Sequence, residues 1–125
     1  MKAIYSQKAP EPIGCYSQAV LAGDWIFISG QIGMDPQTHA LIGPGFSEQL
    51  RQVFTNLEAV IQEAGASFEK IAKLTIYLQD LNHFSEVNNM MSNYFKSPFP
   101  ARATVEVSKL PKDALVEIDA IVYMG

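Results

Sequence analysis

Between Phe46 and Ala64 the apolar residues Phe46, Leu50, Val53, Phe54, Leu57, Val60, Ile61 and Ala64 recur at three-and-four spacing. That period puts them on one face of a long helix, and such a face needs a second layer to cover it. Gly65 then suits the left-handed residue that ends a helix. Around this segment the period drops to two, the period of half-buried strands. Leu74, Ile76 and Leu78 alternate with Lys73, Thr75 and Tyr77 in a strand over 72–78, and 103–107 and 116–121 alternate likewise. Ser17 to Ala22 and Trp25 to Ser29 read as a hairpin turning at Gly23-Asp24. The stretch from Gly30 to Gly45 is turn-rich, with room for one short strand or loop. A second helix carries Phe84, Val87, Met91, Tyr94 and Phe95 on one face, with Asn82 as its N-cap and Pro98 and Pro100 beyond its end. Met90-Met91 reads as core filling. Strands, helix, strand, helix and two strands make an α+β fold with a mixed or antiparallel sheet and two helices on one face. No repeat or linker-like tract interrupts it, so residues 1–125 form one domain.

With 9 basic and 13 acidic residues the formal net charge is −4, and no basic stripe is present. That weighs against a surface built to hold nucleic-acid phosphates. Cys15 is the sole cysteine and His39 and His83 the two histidines, which leaves no disulfide and no Cys/His zinc spacing. The N-terminus lacks a signal-peptide pattern and the apolar runs are too short to span a bilayer, so no membrane contact and a cytoplasmic location are expected.

The chemistry concentrates near the C-terminal end. Arg102 opens one alternating strand and Glu117 lies on the next, each among apolar neighbours. A guanidinium fork that can hold a carboxylate bidentately, with an acid or base in the same pocket, outlines a small-anion site. An arginine at a strand start and a glutamate on a half-buried strand are also ordinary sheet-surface residues. Two helices cover one sheet face only, yet Trp25-Ile26-Phe27-Ile28 is apolar on both sides of its pleat, and Ile121 and Tyr123 accompany Glu117 and Asp119. A mixed exposed face of that kind is an oligomer surface in outline, so charge at Ile28 or Ile121 is expected to weaken assembly. A cleft between chains would follow.

Ile13-Gly14-Cys15-Tyr16-Ser17-Gln18-Ala19, Ile28-Ser29-Gly30-Gln31-Ile32, Val87-Asn88, Phe99-Pro100-Ala101-Arg102, and Leu110-Pro111-Lys112 with Val116-Glu117-Ile118-Asp119-Ala120 stand in this order along the chain. Together they closely resemble the Rid family, the reactive intermediate deaminases also called the YjgF or L-PSP endoribonuclease family. With Arg102 present, the chain looks most like the deaminase subfamily. The resemblance implies a chorismate-mutase-like fold in a barrel-like homotrimer with clefts between subunits. It also implies hydrolysis of 2-imino acids such as 2-iminobutanoate and 2-iminopropanoate to 2-oxo acids and ammonia. These reactive imines and enamines are released by pyridoxal-phosphate dehydratases. No metal or organic cofactor is implied.

Carried over residue by residue, the resemblance makes Arg102 the holder of the substrate carboxylate and Glu117 the group that activates water and moves protons. Tyr16 would offer its hydroxyl, the backbone at Gly30 and Thr104 would line the pocket, and Asn88 would face it. Without the resemblance, Tyr16, Asn88 and Gly30 read as a half-buried aromatic, a helix-boundary amide and a turn glycine. The chain departs from the family pattern at Thr104, where cysteine is common, at Cys15, where proline is common, and in its short Phe95–Phe99 connection. Substrate preference is the inference these departures touch most. Two alternative functions remain at this level: a ribonuclease or translation inhibitor, disfavoured by two dispersed histidines in an acidic chain, and a noncatalytic metabolite-binding module or holdase. Neither Ser29 nor Cys15 sits in a nucleophile elbow.

Overall fold

The computed structural model describes residues 1–125. Six strands form one sheet: β1 (Lys2–Ile4), β2 (Ala19–Ala22), β3 (Trp25–Ile32), β4 (Ile71–Leu78), β5 (Ala101–Glu106) and β6 (Val116–Tyr123). Their spatial order is β1-β2-β3-β6-β4-β5. All neighbours are antiparallel except β4 and β5, which are parallel and joined through the helix α2 (Phe84–Tyr94). The long helix α1 (Phe46–Glu63) joins β3 to β4, and β6 is inserted between those two strands. This is the mixed α+β sheet that the periodicities predict.

The apolar stripe of α1 lies against one face of the sheet. Leu50, Val53, Phe54, Leu57 and Val60 are fully buried there with Leu74, Ile76, Leu78, Val116, Ile118 and Val122. An aromatic cluster locks α1 to the end of α2, with Phe54 stacked on Tyr94 at 4.7 Å and Phe68 stacked on Phe95 at 5.4 Å. The helix α1 ends as expected. Gly65 takes φ +82°, and the Gly65 and Ala66 N–H groups return to the carbonyls of Gln62 and Ile61, a Schellman closure. At its start, Glu48 reaches back to accept the Gly45 N–H at 2.8 Å.

Three expectations are corrected and one strand is added. Asn82 does not cap α2; it sits inside a single turn, Leu81–His83, and Asp80 accepts the Asn82 N–H at 2.9 Å instead. Gly30 and Gln31 belong to β3 rather than to a turn, because a bulge between Ile28 and Gln31 keeps the chain paired with β6 as far as Ile32. The short strand β1, with too few residues to show a period, adds to the edge of β2. Ile28 faces the helices and is 3% exposed, so its neighbour Phe27, not Ile28, stands on the helix-free face.

Three buried amides brace the loops at one end of the sheet. Asn56 donates from α1 to the carbonyls of Ile32 and Met34 at 3.1 and 3.0 Å, fixing the end of β3. Gln49 donates to the Gly43 carbonyl and accepts from Leu115 N–H, which ties the 33–45 loop to the entry of β6. Gln18 accepts from Ser6 N–H and donates to the Ser6 and Pro10 carbonyls. Each satisfies backbone groups that burial would otherwise leave unpaired.

Candidate active site

The bulged strand β3 and its neighbour β6 create the first half of the site. Glu117 pairs in register with Ile32 on one side and Tyr77 on the other, and its side chain stands on the helix-free face. There it overlies Gly30. A Cβ on Gly30 would fall 2.7 Å from the Glu117 Cδ and closer still to one carboxylate oxygen, so the glycine is the space the carboxylate occupies. Burial pushes the Glu117 carboxyl above the ordinary glutamate range, and the like charge of Asp119 adds to the shift.

Glu117 and Gly30 line a cleft of about 530 Å³ with Tyr16, Ser29, Gln31 and Lys112. The N-terminal loop forms one wall. Its ties are the Gln18 amide and the Ser29 hydroxyl, which donates to the Ser17 carbonyl at 2.6 Å. Gly14, at φ +133°, turns this loop so that the half-exposed Tyr16 accepts the Ile13 N–H on its own hydroxyl at 3.3 Å. On the opposite wall Lys112 and Asp113 adopt left-handed φ angles of 57° and 56°, and Lys112 Nζ donates to the His39 carbonyl at 3.3 Å.

The second half lies at the β5 edge. Arg102 is in register with Leu74, a core residue, so its side chain leaves the sheet on the helix side. There α2 cradles it. Asn88 Oδ1 accepts from Arg102 Nη1 at 2.6 Å, Met91 Sδ lies 3.4 Å from the same nitrogen, and the Phe84 ring centroid is 5.0 Å from the guanidinium carbon. A positive plane over an aromatic face is favourable in itself. Asn88, Met91, Phe99, Pro100 and Arg102 surround a hollow of about 320 Å³. Thr104, two residues along on the same side of β5, has a buried hydroxyl with no hydrogen-bond partner.

The sequence residues therefore fall into two groups. Tyr16, Gly30 and Glu117 share one cleft, Arg102 and Asn88 share another, and Thr104, two residues from Arg102 on β5, lines neither. Glu117 and Arg102 are two strands apart and, through their partners Tyr77 and Leu74, three residues apart along β4, about 14 Å at the usual strand and residue spacings, and on opposite faces. The expectation that Arg102 and Glu117 share one pocket is thus corrected within a single chain, because the parallel register with Leu74 turns Arg102 toward α2. Asn88 holds the arginine in this chain. Sequence reasoning assigned Phe84 and Met91 to the core because their spacing is that of a buried stripe. A signal was present in Asn88, which interrupts that stripe one turn after Phe84. No group of three or more His, Cys, Asp or Glu side chains is placed to hold a metal ion.

An α+β sheet backed by two helices, with an edge arginine and a carboxylate over a strand bulge, describes a class of small cleft-bearing proteins. The family model described as Endoribonuclease L-PSP matches residues 6–124. A RutC family protein of Pyrococcus abyssi is 48% identical over 98% of this chain and 96% of its own length. A 2-iminobutanoate/2-iminopropanoate deaminase of Bos taurus is 47% identical over 99% of this chain and 90% of its own. The crystal structure of E. coli TdcF with bound serine covers 100% of both chains at 38% identity, with a TM-score of 0.94. The chain belongs to the Rid/YjgF family.

Proposed function

We propose that the protein is a 2-imino acid deaminase, hydrolysing species such as 2-iminobutanoate and 2-iminopropanoate to 2-oxo acids and ammonia in clefts between subunits of a homotrimer. The observation that carries this reading is the Glu117 carboxylate, held over Gly30 in the cleft with its titration raised by burial, a group placed and tuned for proton transfer. In the reaction the iminium carbon gains a bond to water oxygen while Glu117 takes the proton lost by the water. Glu117 returns that proton to the carbinolamine nitrogen, then accepts the hydroxyl proton as the C–N bond breaks and the carbonyl forms, and passes it to the departing ammonia, so RC(=NH₂⁺)COO⁻ plus H₂O become RC(=O)COO⁻ plus NH₄⁺. An enamine first tautomerises to the imine. Arg102, with its fork cradled by Asn88 and Phe84, would hold the substrate carboxylate.

The helix-free face supports assembly. Trp25, Phe27, Val105 and Tyr123 are each about two-fifths exposed on it, an apolar surface that another copy would cover. Since one chain keeps Arg102 away from its own Glu117, Arg102 of one subunit would meet Glu117 of the next. The deaminase name of the Bos taurus relative and the serine bound in TdcF fit a small amino-acid-like ligand.

The test is to generate 2-iminobutanoate in situ with a threonine dehydratase and follow 2-oxobutanoate release with and without the protein. Acceleration is expected, and its absence would overturn the reading. The family description favours a second reading, endoribonuclease. Against it, His39 lies in a loop and His83 is stacked on Phe46 at 3.9 Å with its Nδ1 hydrogen-bonded to Glu86 at 3.0 Å, so the two histidines form no acid and base pair. RNA cleavage by the purified protein without imine hydrolysis would establish that second reading instead.

A further inference from the structure

On the helix-free face Glu117 has a carboxylate neighbour, Asp119, two residues along β6 and on the same side. Tyr77, the register partner of Glu117 on β4, reaches diagonally along the face and donates its phenol to Asp119 Oδ2 at 2.9 Å. A tyrosine that is the partner of one carboxylate and is bonded to the other fixes how the two charges sit. We propose that Tyr77 and Asp119 form a positioning pair for Glu117, the phenol holding the Asp119 carboxylate in place as a like charge beside it. The inference rests on the deaminase reading, in which Glu117 moves the protons.

The surroundings of Glu117 leave this pair a distinct part. From β6 the charged neighbour is Asp119, and from β4 the titratable one is Tyr77. Gly30 and Ile32 on β3 bring none. The cleft walls add Tyr16 and Glu11 from the N-terminal loop and Lys112 from the 111–113 turn. Lys112 Nζ is bonded to the neutral His39 carbonyl and keeps its charge, Glu11 accepts from Tyr5, and in the proposed assembly Arg102 of the next subunit adds a second cation; none of these changes when Asp119 or Tyr77 is replaced. The titrations agree: Glu117 is raised by burial first and by Asp119 second, and Tyr77 is raised chiefly by its bond to Asp119. A like charge disfavours ionisation of Glu117, which keeps its proton available for the departing ammonia at higher pH.

The test follows Glu117 directly, in protein labelled with carbon-13 at the glutamate side-chain carboxyl, with E117Q identifying its resonance. In Asp119→Asn, which keeps a hydrogen-bond acceptor for Tyr77 but removes the charge, the Glu117 midpoint is expected to fall. It should stay above that of an exposed glutamate, because burial remains. Tyr77→Phe should shift it the same way by less, and Asp119→Glu should return it toward wild type. The acid limb of kcat/KM for 2-iminobutanoate should move to lower pH in step. An unchanged Glu117 midpoint in either Asp119→Asn or Tyr77→Phe would overturn the pairing. A shifted midpoint in a protein with no imine hydrolysis at any pH would uphold the pairing and overturn the deaminase reading.

Discussion

Replacing Gly30 by alanine puts a methyl group where the Glu117 carboxylate now lies, 2.7 Å from its Cδ and 3.1 Å from its Cγ. Carbon atoms in contact prefer about 3.5 Å or more, so the carboxylate must retreat by about 1 Å. The obstacle is the far end of a flexible side chain rather than backbone. Moving it off a preferred rotamer costs about 1 kcal/mol, and the lower entropy of an unfolded chain with alanine offsets about 0.4–1 kcal/mol of that. Stability should therefore hardly move, with Tm shifting by a few degrees at most. Catalysis is far less forgiving. A misplacement of about 1 Å in a reacting group costs about a hundredfold in rate, or about 2.7 kcal/mol of barrier. A thermal melt and the dehydratase-coupled assay on the same preparation test both halves. A folded Gly30→Ala protein with kcat/KM within about threefold of wild type would refute the placement of Glu117 over this glycine as the productive one.

Arg102→Lys keeps the charge but loses the fork, the Asn88 bond and the Phe84 stacking, so 2-oxobutanoate affinity by calorimetry should drop by about 2–3 kcal/mol; normal affinity would reduce the arginine to an edge charge. Phe54→Ala removes a fully buried ring from between α1 and the end of α2, and should cost about 3–5 kcal/mol by urea titration. Glu86 lies below the ordinary glutamate range through bonds from the Ser47 hydroxyl and His83. Its contribution is complete above the unfolded glutamate value and fades as pH falls through the lower folded value. Stability measured against pH should therefore fall less on acidification in Glu86→Gln than in wild type.

The layers of this fold were legible because α1, β4 and β6 each carry a clean period over most of their length. Where the period is interrupted, reading failed. The β3 bulge places two glycine-flanked residues in a strand that local chemistry marks as a turn, and only pairing with β6 and the Asn56 amide keep them there. Arg102 was legible as a residue type but not as a direction, since its face is set by the parallel register with Leu74, a contact between segments far apart in sequence. Gln18, Gln49 and Asn56 were invisible for the same reason: a polar residue in a buried position is recognisable only once its backbone partners from other segments are known. Tyr77 and Asp119 stood in plain alternation, yet nothing local indicates that their side chains meet across two strands.

That Arg102 and Glu117 leave the sheet on opposite faces has a genetic consequence if neighbouring subunits share each cleft. Two dead proteins, one lacking the arginine and the other the glutamate, would each keep the half that the other has lost. Unfolded together and refolded as mixed rings, they would place an intact arginine against an intact glutamate in about a quarter of the seams, the share that random assortment gives in a head-to-tail ring. Activity reborn from two inactive parents would mark the cleft as common property of the assembly.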